Sequence, residues 1–115
     1  MHELSIAANI IEIVEETVKQ NKADKVTLLE IEIGEMSGVV SEALKTALEI
    51  SVKGTIVENT EIKIFEVLGE AQCNCCNKIF DIHDLYTPCN DCGSYDNIII
   101  KGKEMKIKSI TMESN

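Results

Sequence analysis

Apolar residues in the first twenty positions recur every three or four residues, which is the spacing of an amphipathic helix. Ile10 and Ile13 widen this apolar stripe, and most positions between its members carry polar or charged side chains. The pattern predicts a helix over 4–20 that ends near Asn21. The stripe itself consists of Leu4, Ala7, Ile11, Val14 and Val18.

The pattern then changes to that of strands. Residues 25–33 alternate Leu and Ile with Glu near their end, which predicts a strand with one buried face. Ser41 is a candidate cap of a second helix, and Gly54 is its candidate C′ glycine. Stretches rich in β-forming residues predict further strands over 60–68, 98–100 and 105–112.

The composition limits the class of protein. The chain has 115 residues, which is enough for one domain with a satellite lobe. Aromatic residues make up only 3%, so the core has to be aliphatic. No apolar run approaches the roughly 20 residues of a membrane span, and Glu3 stands where a signal peptide carries Lys or Arg. We therefore expect a cytoplasmic protein with no membrane partner.

The chain is strongly acidic, with a net charge of −9 and a pI of about 4.6. Such a surface repels phosphate backbones, so nucleic-acid binding is not expected. Acidity favours cationic partners or metal ions, although on its own it usually indicates only solubility.

All five cysteines lie between Cys73 and Cys92. An odd number of cysteines in a chain without a secretion signal argues against a disulfide framework and favours a metal site. Two CxxC pairs stand out, Cys73 with Cys76 and Cys89 with Cys92. Two intervening residues let both sulfur atoms of a pair face the same ion.

The turn after each pair supports a metal site, because it needs a residue that tolerates a positive φ. Asn77 and Gly93 occupy these two positions. Four thiolates would complete the tetrahedral shell of Zn²⁺ and leave no position for water, so the predicted zinc is structural. Rubredoxin-type iron and four free thiols are the alternatives. Cys75 is left as a spare thiol.

Together these elements predict an α+β fold. We expect a small three- to four-stranded mixed sheet with two helices on one face, plus an inserted zinc-ribbon-like lobe over 71–97. Residues 1–70 and 98–115 would then form the α+β domain. The lobe is too small to fold by apolar burial alone, since units below ~40 residues usually need a metal or disulfides.

The N-terminus offers a second set of metal ligands. A free amine on Met1, the His2 backbone nitrogen and the His2 imidazole can form fused chelate rings around one cation, and Glu3 can add a nitrogen or its carboxylate. Nitrogen-rich sets suit Ni(II) or Cu(II). A histidine at position 2 is more often simply an exposed terminal residue, so the chemistry alone leaves this site undecided.

Several features occur here in a specific order: Met1-His2-Glu3 before a long amphipathic helix, a strand ending in Ile33-Gly34-Glu35, and the paired CxxC segments. In this order the chain resembles the HypA family of nickel metallochaperones, which help to mature nickel-iron hydrogenases. The resemblance covers essentially the whole chain. It implies a carrier and not an enzyme, working with a HypB-type GTPase and the hydrogenase large subunit. It leaves open whether the chain is a monomer or a homodimer, and whether urease is also a client.

By position, the resemblance implies that Met1, His2 and Glu3 bind Ni²⁺ as cargo, so that the α+β part is the nickel-binding domain. The two CxxC pairs match the family's zinc ligands. Some members place a further carboxylate ligand where this chain has two valines after Gly38, so Glu35 or Glu42 would have to substitute. Many members also carry histidines beside the zinc cysteines, and this chain has none there.

Two other function classes compete with a nickel carrier. A zinc-ribbon interaction module without nickel delivery would use the lobe, which has one Lys and three Asp between Cys73 and Cys92 and is therefore unsuited to phosphate. A thiol oxidoreductase needs a CxxC at a helix N-terminus, and no helix is predicted after either pair. His83, between two aspartates, is a further candidate ligand, although a solvated loop histidine is the simpler interpretation.

Overall fold

The computed structural model describes residues 3–114, which form two helices and six strands. The helices are α1 (Glu3–Gln20) and α2 (Ser41–Ser51). The strands are β1 (Lys25–Gly34), β2 (Glu61–Val67), β3 (Glu70–Cys73), β4 (Ile79–Asp81), β5 (Asn97–Lys101) and β6 (Met105–Glu113). Every predicted helix and strand is present. Strands β3 and β4 were not predicted, because the cysteine segment has no hydrophobic periodicity.

The larger sheet has the strand order β2-β1-β6 and is mixed. Strand β1 pairs with β2 in parallel and with β6 in the antiparallel sense. A parallel pair needs a crossover between its strands, and α2 provides it. In β1, Leu29, Ile31 and Ile33 are fully buried, while the intervening glutamates lie on the opposite face.

Both helices contribute to the core on the buried face of this sheet. Helix α2 buries Leu44, Ala47 and Leu48 in the same cluster as the β1 residues. Leu4 and Ile13 were predicted on the apolar stripe of α1 but are exposed, at 59% and 53%. Leu4 lies at the start of the helix and Ile13 at the edge of the apolar stripe, so neither side chain is fully covered by the sheet or by α2. Helix α1 buries Ile6, Ala7, Ile10, Ile11, Val14 and Val18.

The ends of α2 differ in detail from the prediction. Ser41 is the first helical residue, and the N-cap position is Val40, which makes no side-chain cap. The Ser37 hydroxyl instead accepts a hydrogen bond from the Val39 N–H at 3.2 Å. Gly54 has a positive φ of 78° but lies one residue beyond C′, because the C-cap is Val52.

A second sheet, antiparallel and ordered β4-β3-β5, forms the lobe. Strand β5 was expected in the α+β domain, yet it pairs with β3, where Cys73 lies opposite Asn97. The lobe's sheet therefore extends to Lys101, beyond the boundary predicted at residue 97. The three consecutive isoleucines at 98–100 do not alternate with polar residues, so their sequence does not indicate which sheet they join.

The lobe has a core of its own, and the described part of the chain is elongated, at 58 × 24 × 17 Å. Met36, from the turn after β1, packs against this second core. The core consists of Ala71, Cys73, Phe80, Ile82 and Cys89. Of the two described helices, neither is long and apolar enough to cross a membrane.

Candidate metal centre

The two CxxC pairs converge on one point. The four sulfur atoms, from Cys73, Cys76, Cys89 and Cys92, all lie within 4.8 Å of one another. The Sγ–Sγ distances are 3.5 Å for Cys73 with Cys92 and 3.6 Å for Cys76 with Cys89. Metal–sulfur bonds of about 2.3 Å in a tetrahedron give sulfur–sulfur distances of about 3.8 Å, whereas a disulfide requires about 2.05 Å. The donor set therefore fits a tetrahedral metal ion.

Each CxxC pair is closed by a turn of its own, and the two turns have the same geometry. The Asn77 N–H donates to the Cys73 carbonyl, and the Gly93 N–H donates to the Cys89 carbonyl, both at 2.9 Å. Asn77 has φ 65° and Gly93 has φ 76°, which confirms that these two positions require a residue tolerant of the left-handed region. The turn is thus set locally by the sequence.

Backbone N–H groups point at the first sulfur of each pair. The Cys75 N–H lies 3.4 Å from the Cys73 sulfur, and the Asp91 N–H lies 3.4 Å from the Cys89 sulfur. Hydrogen bonds from backbone N–H groups, first that of Cys76, lower the pKa of the Cys73 thiol to about 6 despite its burial. The backbone N–H groups of Cys92 and Asp91 likewise lower the pKa of Cys89. The buried cysteine of each pair therefore favours the thiolate.

The second cysteine of each pair resists ionisation. The Ser94 N–H favours the Cys92 thiolate, but the Cys73 sulfur, burial and the other sulfurs outweigh it and raise the pKa of Cys92 to about 12. The Lys78 N–H likewise favours the Cys76 thiolate, but burial and the sulfurs of Cys89 and Cys73 outweigh it and raise the pKa of Cys76. Four thiolates this close repel one another, so a divalent cation would displace the remaining protons and stabilise the cluster.

The spare thiol of Cys75 lies outside this group. It is exposed, and its sulfur contacts the Ser94 hydroxyl at 3.2 Å. With four sulfur donors the coordination shell would be closed, which suits an ion that holds the lobe together and leaves no position for a substrate or water.

The N-terminal nickel set can be followed only in part. Met1 and His2 lie outside the described residues, so their role stays a prediction. Glu3 begins α1 and lines a solvent-open groove of about 490 Å³ between the two helices. The groove is completed by Leu4 and Ser5 of α1 and by Ala43, Thr46, Ala47 and Ile50 of α2.

Glu35 and Glu42 are the two residues suggested to complete the nickel site, but neither lies beside Glu3. One carboxylate oxygen of Glu35 lies 2.8 Å from Nδ1 of His83, and the other accepts a hydrogen bond from the Gly69 N–H at 2.8 Å. Glu42 lines a separate groove against β2. Neither residue lines the groove that contains Glu3. The partner of His83 is therefore a glutamate 48 positions away, which local sequence could not indicate.

Comparison with known proteins identifies the family. The family model described as "Hydrogenase/urease nickel incorporation, metallochaperone, hypA" matches residues 1–112. The chain belongs to the HypA family. Two HypA relatives, each named hydrogenase maturation factor HypA, come from Parabacteroides distasonis and Prosthecochloris aestuarii. The first is 45% identical over 98% of both chains, and the second is 40% identical over 98% of this chain and all of its own.

Solved HypA structures share the fold. One is described as the solution structure of the Ni metallochaperone HypA from Helicobacter pylori; it is 29% identical, covers the whole of both chains and has a TM-score of 0.71. A second solution structure of a HypA protein is also 29% identical, covers all of this chain and 98% of its own, and has a TM-score of 0.74. These matches confirm the predicted α+β fold and the resemblance to HypA, a family of metallochaperones and not of catalysts.

Proposed function

We propose that this HypA-family protein carries Ni(II) at its N-terminus and delivers it during the maturation of nickel-iron hydrogenase. The observation that carries the proposal is the family match over residues 1–112, which includes the N-terminal residues and both CxxC pairs. Relatives named hydrogenase maturation factors support hydrogenase as the client. Delivery requires reversible ligands and no covalent step.

The nickel ligands in this proposal are the Met1 amine, the His2 backbone nitrogen and imidazole, and a contribution from Glu3. These nitrogen donors match the preference of Ni(II) for nitrogen-rich sets. The groove beside Glu3 is open to solvent, so a partner protein can approach the start of α1. Nickel binding weakens as the pH falls, because protons compete for the amine and the imidazole.

The metal at the four cysteines is, in our proposal, a structural zinc ion. The sulfur spacing and the closed shell support a tetrahedral ion without catalytic role, and Zn²⁺ adds no redox chemistry. The nickel-binding part is then the α+β domain, proposed as residues 1–70 and 98–115, and the zinc lobe is residues 71–97. Residues 98–101 fall in the second of the domain ranges, but because β5 pairs with β3 they form part of the zinc lobe's sheet.

The proposed partners are a HypB-type GTPase and the hydrogenase large subunit. We propose that the protein binds them in the cytoplasm, as a monomer or a homodimer. Membership of a maturation-factor family supports partners from the hydrogenase maturation machinery.

The alternative is a zinc-ribbon interaction module without nickel delivery. One observation favours it: Ile79 and Ile98 face outward from the small sheet and are 53% and 55% exposed. Exposed aliphatic side chains of this kind can serve as contacts for a protein partner. A nickel carrier can use the same surface, so only nickel binding distinguishes the two functions.

The decisive experiment is a nickel titration of untagged protein with metal analysis. The chain has two histidines, His2 and His83, so His83→Ala is a matched control for His2→Ala. We expect wild type and His83→Ala to bind a single nickel ion and His2→Ala to bind none, with zinc content and circular dichroism unchanged in all three. Normal nickel binding by His2→Ala, or by protein extended before Met1, would refute the proposed site.

A further inference from the structure

The turn after β1, which contains Glu35 and Met36, contacts the lobe although it follows a strand of the larger sheet. Glu35 Oε2 lies 2.8 Å from His83 Nδ1, and Oε1 lies 3.0 Å from the same nitrogen. Oε1 also accepts a hydrogen bond from the Gly69 N–H at 2.8 Å. Glu35 thus joins the connection between β2 and β3 to the loop that follows β4.

Met36, the next residue of the turn, inserts its side chain against the lobe's core. Its backbone N–H donates to the Gly102 carbonyl at 2.7 Å, and its Cγ lies over Gly69. The Ile82 N–H donates to the Gly69 carbonyl at 3.1 Å, which keeps the loop before His83 on the same connection. The turn therefore contacts both strand connections as well as the core.

These contacts matter because the chain passes between the two sheets at only two places in the described residues, the β2–β3 and β5–β6 connections. Each connection contains a glycine, Gly69 or Gly102, and Gly102 has φ 107°. Parts joined by short connections with small interfaces normally move relative to one another. The turn supplies the lateral contacts that oppose such motion.

The ion pair differs from an ordinary surface pair. Exposed pairs contribute little, because solvent screens them and ordering two side chains costs entropy. The Glu35 side chain is only 20% exposed, whereas His83 is 62% exposed. The Gly69 N–H, and after it His83, lower the pKa of Glu35, which is consistent with a carboxylate that is held by hydrogen bonds.

We propose that Glu35 and Met36 act as a latch that fixes the orientation of the four-cysteine lobe relative to the α+β domain, with His83 and Gly69 as the groups that Glu35 holds. All four are positioning residues. A partner that contacts both the lobe and the groove beside Glu3 then meets the two surfaces in one arrangement. The latch does not depend on which metal or which partner the protein binds.

The test measures the relative orientation of the two parts in metal-loaded, ¹⁵N-labelled full-length protein by residual dipolar couplings. In wild type, a single alignment tensor should fit the N–H vectors of both sheets. In Glu35→Ala, one tensor should no longer fit both sheets, and the fitted degree of order should be lower for the lobe than for the domain. His83→Ala should lower the degree of order of the lobe less than Glu35→Ala does, because the hydrogen bond from the Gly69 N–H to Glu35 remains.

Coupling within the latch is tested by the double variant. If His83 acts through Glu35, the variant lacking both side chains should match Glu35→Ala alone. Asp84→Asn is the matched control: the Asp84 carboxylate accepts hydrogen bonds from the Tyr86 N–H and the Thr87 hydroxyl in the same loop, and this variant should keep one tensor.

The latch is refuted by any of three results: two tensors in wild type, one tensor in Glu35→Ala, or additive effects of the two single variants. Loosening by Asp84→Asn as large as that by Glu35→Ala would likewise refute it, because the loop and not the latch would then set the orientation. Couplings within each sheet report whether a variant is folded. If Glu35→Ala does not fold, His83→Ala decides the question, because it alters only an exposed side chain. A single tensor for both sheets in His83→Ala, with the same degree of order as in wild type, would then refute the latch.

Discussion

Replacing Gly34 with alanine tests the close approach of two backbone segments at the end of the larger sheet. A Cβ on Gly34 would overlap the Gly102 carbonyl and would lie 2.7 Å from the Glu104 nitrogen. Both are backbone atoms, which cannot turn aside as a side chain can. Gly34 does not have a positive φ, so alanine would meet crowding there and not backbone strain.

The size of the effect follows from the hydrogen bonds at this point. The Gly34 N–H donates to the Glu104 carbonyl at 2.6 Å, and the Met36 N–H donates to the Gly102 carbonyl at 2.7 Å. Each buried group left unpaired costs about 1–3 kcal/mol, and alanine recovers about 0.4–1 kcal/mol by restricting the unfolded chain. The free energy of unfolding should therefore fall by about 3 kcal/mol, which lowers Tm by roughly 10 °C for a chain of this size.

Gly38→Ala is the matched control, because Gly38 has the opposite properties. Its φ is 82°, and an added Cβ would have no atom within 4 Å, so alanine there meets strain of about 1–2 kcal/mol without crowding. The assay is urea unfolding followed by far-ultraviolet circular dichroism, which reports the helices α1 and α2. If Gly34→Ala is destabilised no more than Gly38→Ala, the backbone contact is not what requires glycine at position 34.

Three further predictions concern the metal centre, the core and the Glu35 carboxylate. Cys73→Ser should lose the bound metal and the lobe's order, as metal analysis and amide spectra will show; a fully metallated variant would contradict the four-sulfur site. Leu48→Ala, at a fully buried position, should cost about 3 kcal/mol, whereas Ile50→Ala, at a position 59% exposed, should stay within about 0.5 kcal/mol in the same unfolding assay. The pKa of Glu35 is lowered from 4.5 by the Gly69 N–H and then by His83, so its stabilisation is complete above about pH 4.5 and is lost as the pH falls through the lowered pKa. The stability difference between wild type and Glu35→Gln should shrink over that acid range, and a constant difference would contradict the assignment.

Local patterns in the sequence determined much of this protein. The apolar period of residues 4–20 predicts α1, because a helix needs only one face to be apolar. The turn after each CxxC pair is equally local, since Asn77 and Gly93 supply the positive φ that the turn requires. The spacing of the four cysteines, together with these turn residues, is therefore sufficient to group them as one set of ligands.

The tertiary structure alone decided which distant segments meet. It paired β5 with β3, although the isoleucines at 98–100 fit either sheet. It placed His83 against Glu35 and brought Gly34 onto the backbone of Gly102. Such contacts depend on the path of the whole chain, so they cannot be predicted from the spacing of residues within one segment. Periodicity and turn residues report local conformation, whereas the junction between the two sheets arises from long-range packing.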